Sequence, residues 1–144
     1  MATCALVLVL AACASKPTES AAGEAAKPSN GGGPGEAVNM TGDATKGADV
    51  YTANCGTCHG PEGKGGVANP GSDDGNVPPL NPIDDTMVNK DYKTFATNID
   101  LFIEHGSTPE GDKPTLNMLP FGDNKTLTSQ QIADVIAYVI SLNK

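Results

Sequence analysis

Residues 55 to 59 read Cys-Gly-Thr-Cys-His, and no other stretch restricts the chain as much. C-x-x-C-H is the attachment pattern of a c-type haem. Two thiols add across the two vinyl groups of one porphyrin, and the two intervening residues hold the sulfurs at that separation. The histidine that follows is placed under the iron as its proximal ligand. On this reading Cys55 and Cys58 are thioether anchors and His59 is the axial base. Three other readings compete. A thioredoxin-like redox pair needs a βαβ setting, and no buried-strand pattern lies nearby. A zinc site needs four ligands, and the remaining cysteines, Cys4 and Cys13, stand far upstream in an apolar stretch. A simple disulfide staple leaves His59 idle.

A chain of 144 residues has room for one domain. It has no tryptophan and few aromatics, so its core alone is marginal. A covalent porphyrin, a large apolar disc, supplies what that core lacks. Nine cations, all lysine, against seventeen acidic residues give a net charge of −8. Nucleic acid is excluded as a partner, because binding it needs clustered cations to replace phosphate counterions. An acidic surface suits basic protein partners or simple solubility.

Residues 5 to 12 are a continuous apolar run. It is too short for a bilayer, which takes about 20 residues, and fits the core of a signal peptide. Leu10-Ala11-Ala12-Cys13 resembles the lipobox of bacterial lipoproteins, although no Lys or Arg precedes the run. The resemblance implies a signal peptide over 1–12, cleavage before Cys13, and acylation of that cysteine. The expected location is outside the cytoplasm, in the periplasm or at the outer face of the cytoplasmic membrane. Residues 14 to 40 are rich in Ala, Gly, Pro, Ser and Glu and carry no apolar periodicity. Residues 13–41 are therefore expected to be a lipidated cysteine and a flexible tether, with a root-mean-square span of about 30 Å.

The folded domain is expected over 42–144. Asp43 is a plausible N-cap for a helix with Gly47, Val50, Tyr51 and Cys55 on one face. Residues 60 to 76 read as a glycine-rich loop, followed by the extended, rigid stretch Val77 to Pro82. Residues 84 to 96 are ambiguous. Thr97 is expected to cap a helix with Asp100 at its third position, Ile99, Phe102 and Ile103 facing inward, and Gly106 as its stop. Thr128 and Gln131 form a capping box before the stripe Ile132, Val135, Ile136, Val139 and Ile140. No repeats and no strands are expected.

The order of these features resembles the class I monohaem cytochromes c of bacteria. A capped helix enters Cys55-x-x-Cys58-His59-Gly60. A loop leads to Pro78-x-Leu80, and a helix ends at Ile103-x-x-Gly106. Met118-x-Pro120-Phe121-Gly122 follows, then a last helix with Ala137-Tyr138-Val139. The resemblance covers residues 42 to 144. It implies a small all-α cytochrome c fold, three to five helices around one covalent haem c. It also implies Met118 as the second axial ligand. A soft thioether favours ferrous iron and raises the reduction potential, and a filled sixth position blocks oxygen chemistry. Met87, Met40 and His105 are the competing ligands; His105 at a helix end also suits the helix dipole. The resemblance further implies that the Pro78 carbonyl accepts a hydrogen bond from the free ring nitrogen of His59, which fixes the ring and raises its basicity. Residues 66 to 76 make that loop longer than in many relatives and leave Pro70 as a second possible acceptor. Gly47, Tyr51 and Tyr138 are expected at a tight crossing of the first and last helices.

The function expected is one-electron transfer by a lipid-anchored carrier that is not itself an enzyme. Its partners are the membrane, through lipid on Cys13, and redox proteins. Two alternatives are a fixed subunit of a larger membrane complex, such as an alternative complex III, and an open-site haem enzyme or sensor.

Overall fold

The computed structural model describes residues 25–144. The signal peptide expected over 1–12, the expected acylation site at Cys13 and the upstream part of the expected tether lie outside the described residues. Four α-helices carry the fold: α1 (Ala44–Asn54), α2 (Gly56–His59), α3 (Tyr92–His105) and α4 (Ser129–Leu142). Two short 3₁₀ turns, Glu36–Asn39 and Pro61–Gly63, accompany them. Among the described residues there are no strands, only isolated bridges pairing Ala68 with Asn76 and Ser107 with Met118. The all-α fold class expected from the sequence is the one observed.

Helix α1 starts where Asp43 places a carboxylate oxygen 2.9 Å from Thr45 N and 3.3 Å from Lys46 N. Those amides have no partner inside the helix, so the cap stabilises the first turn by about 1 kcal/mol. Helix α4 starts with the capping box: Gln131 N donates to Thr128 Oγ1 at 3.2 Å, and Thr128 N donates to Gln131 Oε1 at 2.9 Å. Its stripe Ile132, Val135, Ile136, Val139 and Ile140 is buried, and it packs chiefly on α1. The two backbones touch. A Cβ at Gly47 would overlap the carbonyl oxygen of Asp134, and one at Gly42 that of Ala133. Tyr51 and Tyr138 fill the seam with ring centroids 5.2 Å apart at 54°, a tilted pairing that suits aromatic quadrupoles.

Helix α3 begins earlier than the expected cap at Thr97. Asp91 is the cap: its Oδ1 accepts from Thr94 N at 2.9 Å and Thr94 Oγ1 at 2.7 Å. Thr97 sits inside the helix and turns its hydroxyl back to Lys93 O at 2.8 Å, a bond open to threonine within a helix. Asp100 is therefore a mid-helix residue, and it is fully buried. The end of α3 agrees with the sequence. Gly106 at φ 66°, ψ 178° stops the helix in a conformation that only glycine adopts without strain.

The boundary expected at Gly42 also differs from what is seen, since contacts with the domain begin upstream of it. Ala37 is buried, and the turn around it packs on α3 and α4. Residues 29 to 35 run as a strap along the C-terminal half of α3 through side-chain and backbone hydrogen bonds. Glycine-rich composition suggests a free chain; here it lets the backbone approach where side chains would collide. Any Cβ at Gly32 would enter the ring of His105.

Candidate functional site

The motif Cys55–His59 occupies the junction of α1 and α2. Helix α1 ends as Cys55 N donates to Tyr51 O at 2.8 Å, and the chain continues at once into α2, with His59 N donating to Cys55 O at 2.9 Å. This single turn brings both thiols and the imidazole to one end of α1. Cys55 and Cys58 are unpaired and half-buried. Burial, helped by the neighbouring Cys58, pushes the Cys55 thiol up to about 11, so it stands as the neutral S–H. Tyr51 supports the turn from beneath, donating from its hydroxyl to Gly60 O at 2.8 Å. Burial of that phenol pushes it up to about 12, so it remains a donor.

His59 is oriented from outside its own helix. Its Nδ1 lies 3.0 Å from Pro78 O. Burial pushes the imidazole below its ordinary value, partly offset by the Pro78 carbonyl. A neutral ring that donates through Nδ1 keeps the Nε2 lone pair available, which is the form that binds a metal. Pro70, the other candidate acceptor, has its carbonyl occupied by Thr115 N at 3.0 Å and Thr115 Oγ1 at 2.9 Å. The sequence carries no sign of what fixes the proline stretch. Asn143, just beyond α4, accepts from Ile83 N at 2.9 Å and donates to Leu80 O at 2.8 Å and Val139 O at 2.9 Å. A second unforeseen anchor is Asn69, buried at 1 % exposure. It joins the long loop to the Met118 side, accepting from Leu116 N at 2.7 Å and donating to Leu116 O at 3.0 Å.

Met118 is half-buried and pairs with the residue after the α3 stop: Ser107 N donates to Met118 O at 3.0 Å and Met118 N to Ser107 O at 2.8 Å. Downstream, Phe121 N donates to Ile103 O at 2.9 Å and Asp123 N to Glu104 O at 3.0 Å, so the loop satisfies carbonyls that the end of α3 leaves open. The competing ligands are otherwise engaged. Met87 is buried in the core, Met40 is 41 % exposed, and His105 bonds through both ring nitrogens to Asp123 and Gly33.

Cys55, Leu80, Phe102, Met118 and Phe121 adjoin the core yet are only partly covered by protein. Such a set of half-covered apolar side chains beside two free thiols and a neutral imidazole fits a large apolar disc anchored at one edge. Among the described residues no group of three or more His, Cys, Asp or Glu could hold a metal ion. Nor is any described helix long and apolar enough to cross a membrane. Compared with known proteins, residues 44–143 match the model of the family described as Cytochrome c. No curated protein and no solved structure matches the chain.

Proposed function

The chain belongs to the cytochrome c family, whose members carry a covalent haem c and transfer electrons through it, and from that premise we propose that it is a one-electron carrier ligated by His59 and Met118. Cys55 and Cys58 hold the porphyrin by thioethers. The haem, when bound, supplies an iron that cycles between ferric and ferrous. His59 presents Nε2 while Pro78 O holds its Nδ1–H. Met118 offers a thioether from a loop fastened to the end of α3. The apolar residues around them would keep water from the iron, and Met118 as its ligand would confine the chemistry to electron transfer. The protein is thus a carrier and not an enzyme.

The observation that carries this reading is the 3.0 Å approach of His59 Nδ1 to Pro78 O. It commits one ring nitrogen to the protein and leaves the other for iron. The oxidised protein is expected to show the weak near-infrared sulfur-to-iron band, and Met118→Ala to abolish it, lower the potential and admit external ligands. Survival of the band in Met118→Ala, with loss in Met87→Ala, would assign the ligand to Met87.

The carrier works at the outer face of the cytoplasmic membrane, held by acyl chains on Cys13. One chain gives marginal binding and two or more a stable anchor. Mass spectrometry of the native N-terminal peptide tests this: an unmodified Cys13, or a mature chain starting elsewhere, removes the anchor and leaves a freely diffusing exported protein.

A further inference from the structure

The methionine loop meets the strap at His105, the last residue of α3. The His105 side chain is 11 % exposed. Its Nδ1 lies 2.9 Å from Asp123 Oδ2, on the arm of the loop that follows Met118. Its Nε2 lies 2.8 Å from Gly33 O, on the strap. Both partners are acceptors. A neutral imidazole has one N–H and satisfies one of them; only the imidazolium donates to both. The strap is also bonded to the residues on either side of His105 and to His105 itself. Asn30 Nδ2 donates to His105 O at 2.7 Å. Ser29 N donates to Ser107 Oγ at 3.2 Å, and Thr108 N donates to Ser29 Oγ at 2.6 Å. Gly35 N donates to Oδ2 of the buried Asp100 at 2.7 Å. Ser107, gripped by the strap, is the residue whose backbone pairs in both directions with Met118.

We propose that residues 29 to 35 are a clasp on the Met118 loop, locked by an imidazolium at His105, and that His105 is a positioning residue for the iron–sulfur bond. The clasp touches both arms of the loop. Ser107 holds the arm at Met118, and Asp123 the arm beyond Gly122. Releasing the strap therefore frees the loop without disturbing the Cys55–His59 motif, which sits on other elements. The proposal rests on Met118 as the sixth ligand.

Proton loss unlocks the clasp. The carboxylate of Asp123, then the Gly33 carbonyl, hold His105 above its ordinary value of 6.5. A group with a raised folded value contributes fully below its unfolded value and loses that contribution as pH rises through the folded one. The charged groups facing the ring are Asp123 and Glu104, with Asp100 beneath the strap. Burial raises Asp100 above 3.8. Opening as pH rises through the raised value of His105 is the signature of that group.

The test uses the full-length, haem-loaded protein and two readouts, the near-infrared sulfur-to-iron band and the rate of carbon monoxide binding to the reduced form. Gly32→Ala drives a methyl group into the His105 ring from the strap side, His105→Gln removes the imidazolium, and Asn30→Ala removes a single bond if the first two fold poorly. Carbon monoxide binding is expected to quicken by about tenfold in Gly32→Ala and His105→Gln. In wild type the rate is expected to climb as pH rises above 6.5 and through the raised value of His105, and in His105→Gln to be flat over that range. Wild-type rates and pH profiles in all three folded variants would overturn the clasp while leaving Met118 as ligand. A band already absent from wild type, or unchanged in Met118→Ala, would instead remove the ligand reading and the clasp with it.

Discussion

The segments around His59 and Met118 are held in opposite ways. His59 follows directly from α1 through one turn, and every residue of its motif lies within five positions of the next. Covalent bonds to the porphyrin then make that side almost irreversible. Met118 has no helix of its own. It is kept by backbone pairing with Ser107, by the open carbonyls of Ile103 and Glu104, and by a strap from the other end of the sequence. One side is local and covalent; the other is assembled from distant pieces by hydrogen bonds worth about 1 kcal/mol each. Local opening is therefore expected on the methionine side first, since such openings draw on the weakest-held segments.

The largest test breaks the covalent side. Cys55→Ala with Cys58→Ala is expected to abolish covalent haem, so that acid-acetone extraction leaves no colour on the polypeptide, and to leave a chain with a marginal core that circular dichroism reads as largely unfolded. Colour retained on the doubly substituted chain would contradict the anchor assignment.

Gly106→Ala breaks the assembled side. The new Cβ would overlap Met118 O, at a backbone φ of 66°, and the combined strain and overlap are expected to cost about 3 kcal/mol. Denaturant titration measures that loss, and the sulfur-to-iron band should weaken along with stability. Asn143→Ala sharpens the comparison from the other direction. It removes the bonds to Ile83, Leu80 and Val139, with an expected cost of about 2 kcal/mol. It should disturb the Pro78 side while leaving the band of the methionine side intact. Thr128→Ala serves as the small reference. It deletes the α4 cap and is expected to cost about 1 kcal/mol with no spectral change.

The same contrast explains what could be read from the sequence. The motif at 55–59, the Asp43 and Thr128 caps and the Gly106 stop are signals carried by neighbouring residues, and the caps and the stop stand where expected; the Gly47 crossing, expected only from the family resemblance, is also seen. The start of α3 was displaced because two threonine-containing starts compete: Asp91 with Thr94 captures the open amides before Thr97 can. Asn69, Asn143 and the strap left no local trace. Each acts by closing a gap between segments about 45 to 75 positions apart, and nothing in the identity of an asparagine or glycine announces its distant partner. Asp100 and Asp134 had a partial signal, since a carboxylate among inward-facing residues demands a donor. Asp134 finds two, Asp43 N at 2.8 Å and Gln130 Nε2 at 2.9 Å.

The contact of Gly47 with the carbonyl of Asp134 has a consequence for how such a chain tolerates change in length. Once the first and last helices are fastened, everything between them is one large ring. The entropy of closing a ring grows only with the logarithm of its contour. Adding a segment the size of residues 66 to 76 to a ring already this long raises the closure cost by only on the order of 0.1 kcal/mol. The added segment is then tied down by Asn69, through its paired bonds to Leu116, and by Pro70, Gly71 and Asp73, which bond to Thr115, Lys113 and Glu110. A change in the length of that stretch therefore costs little in closure entropy, whereas a single methyl group at position 47 would meet the Asp134 carbonyl and part the fastening on which the ring depends.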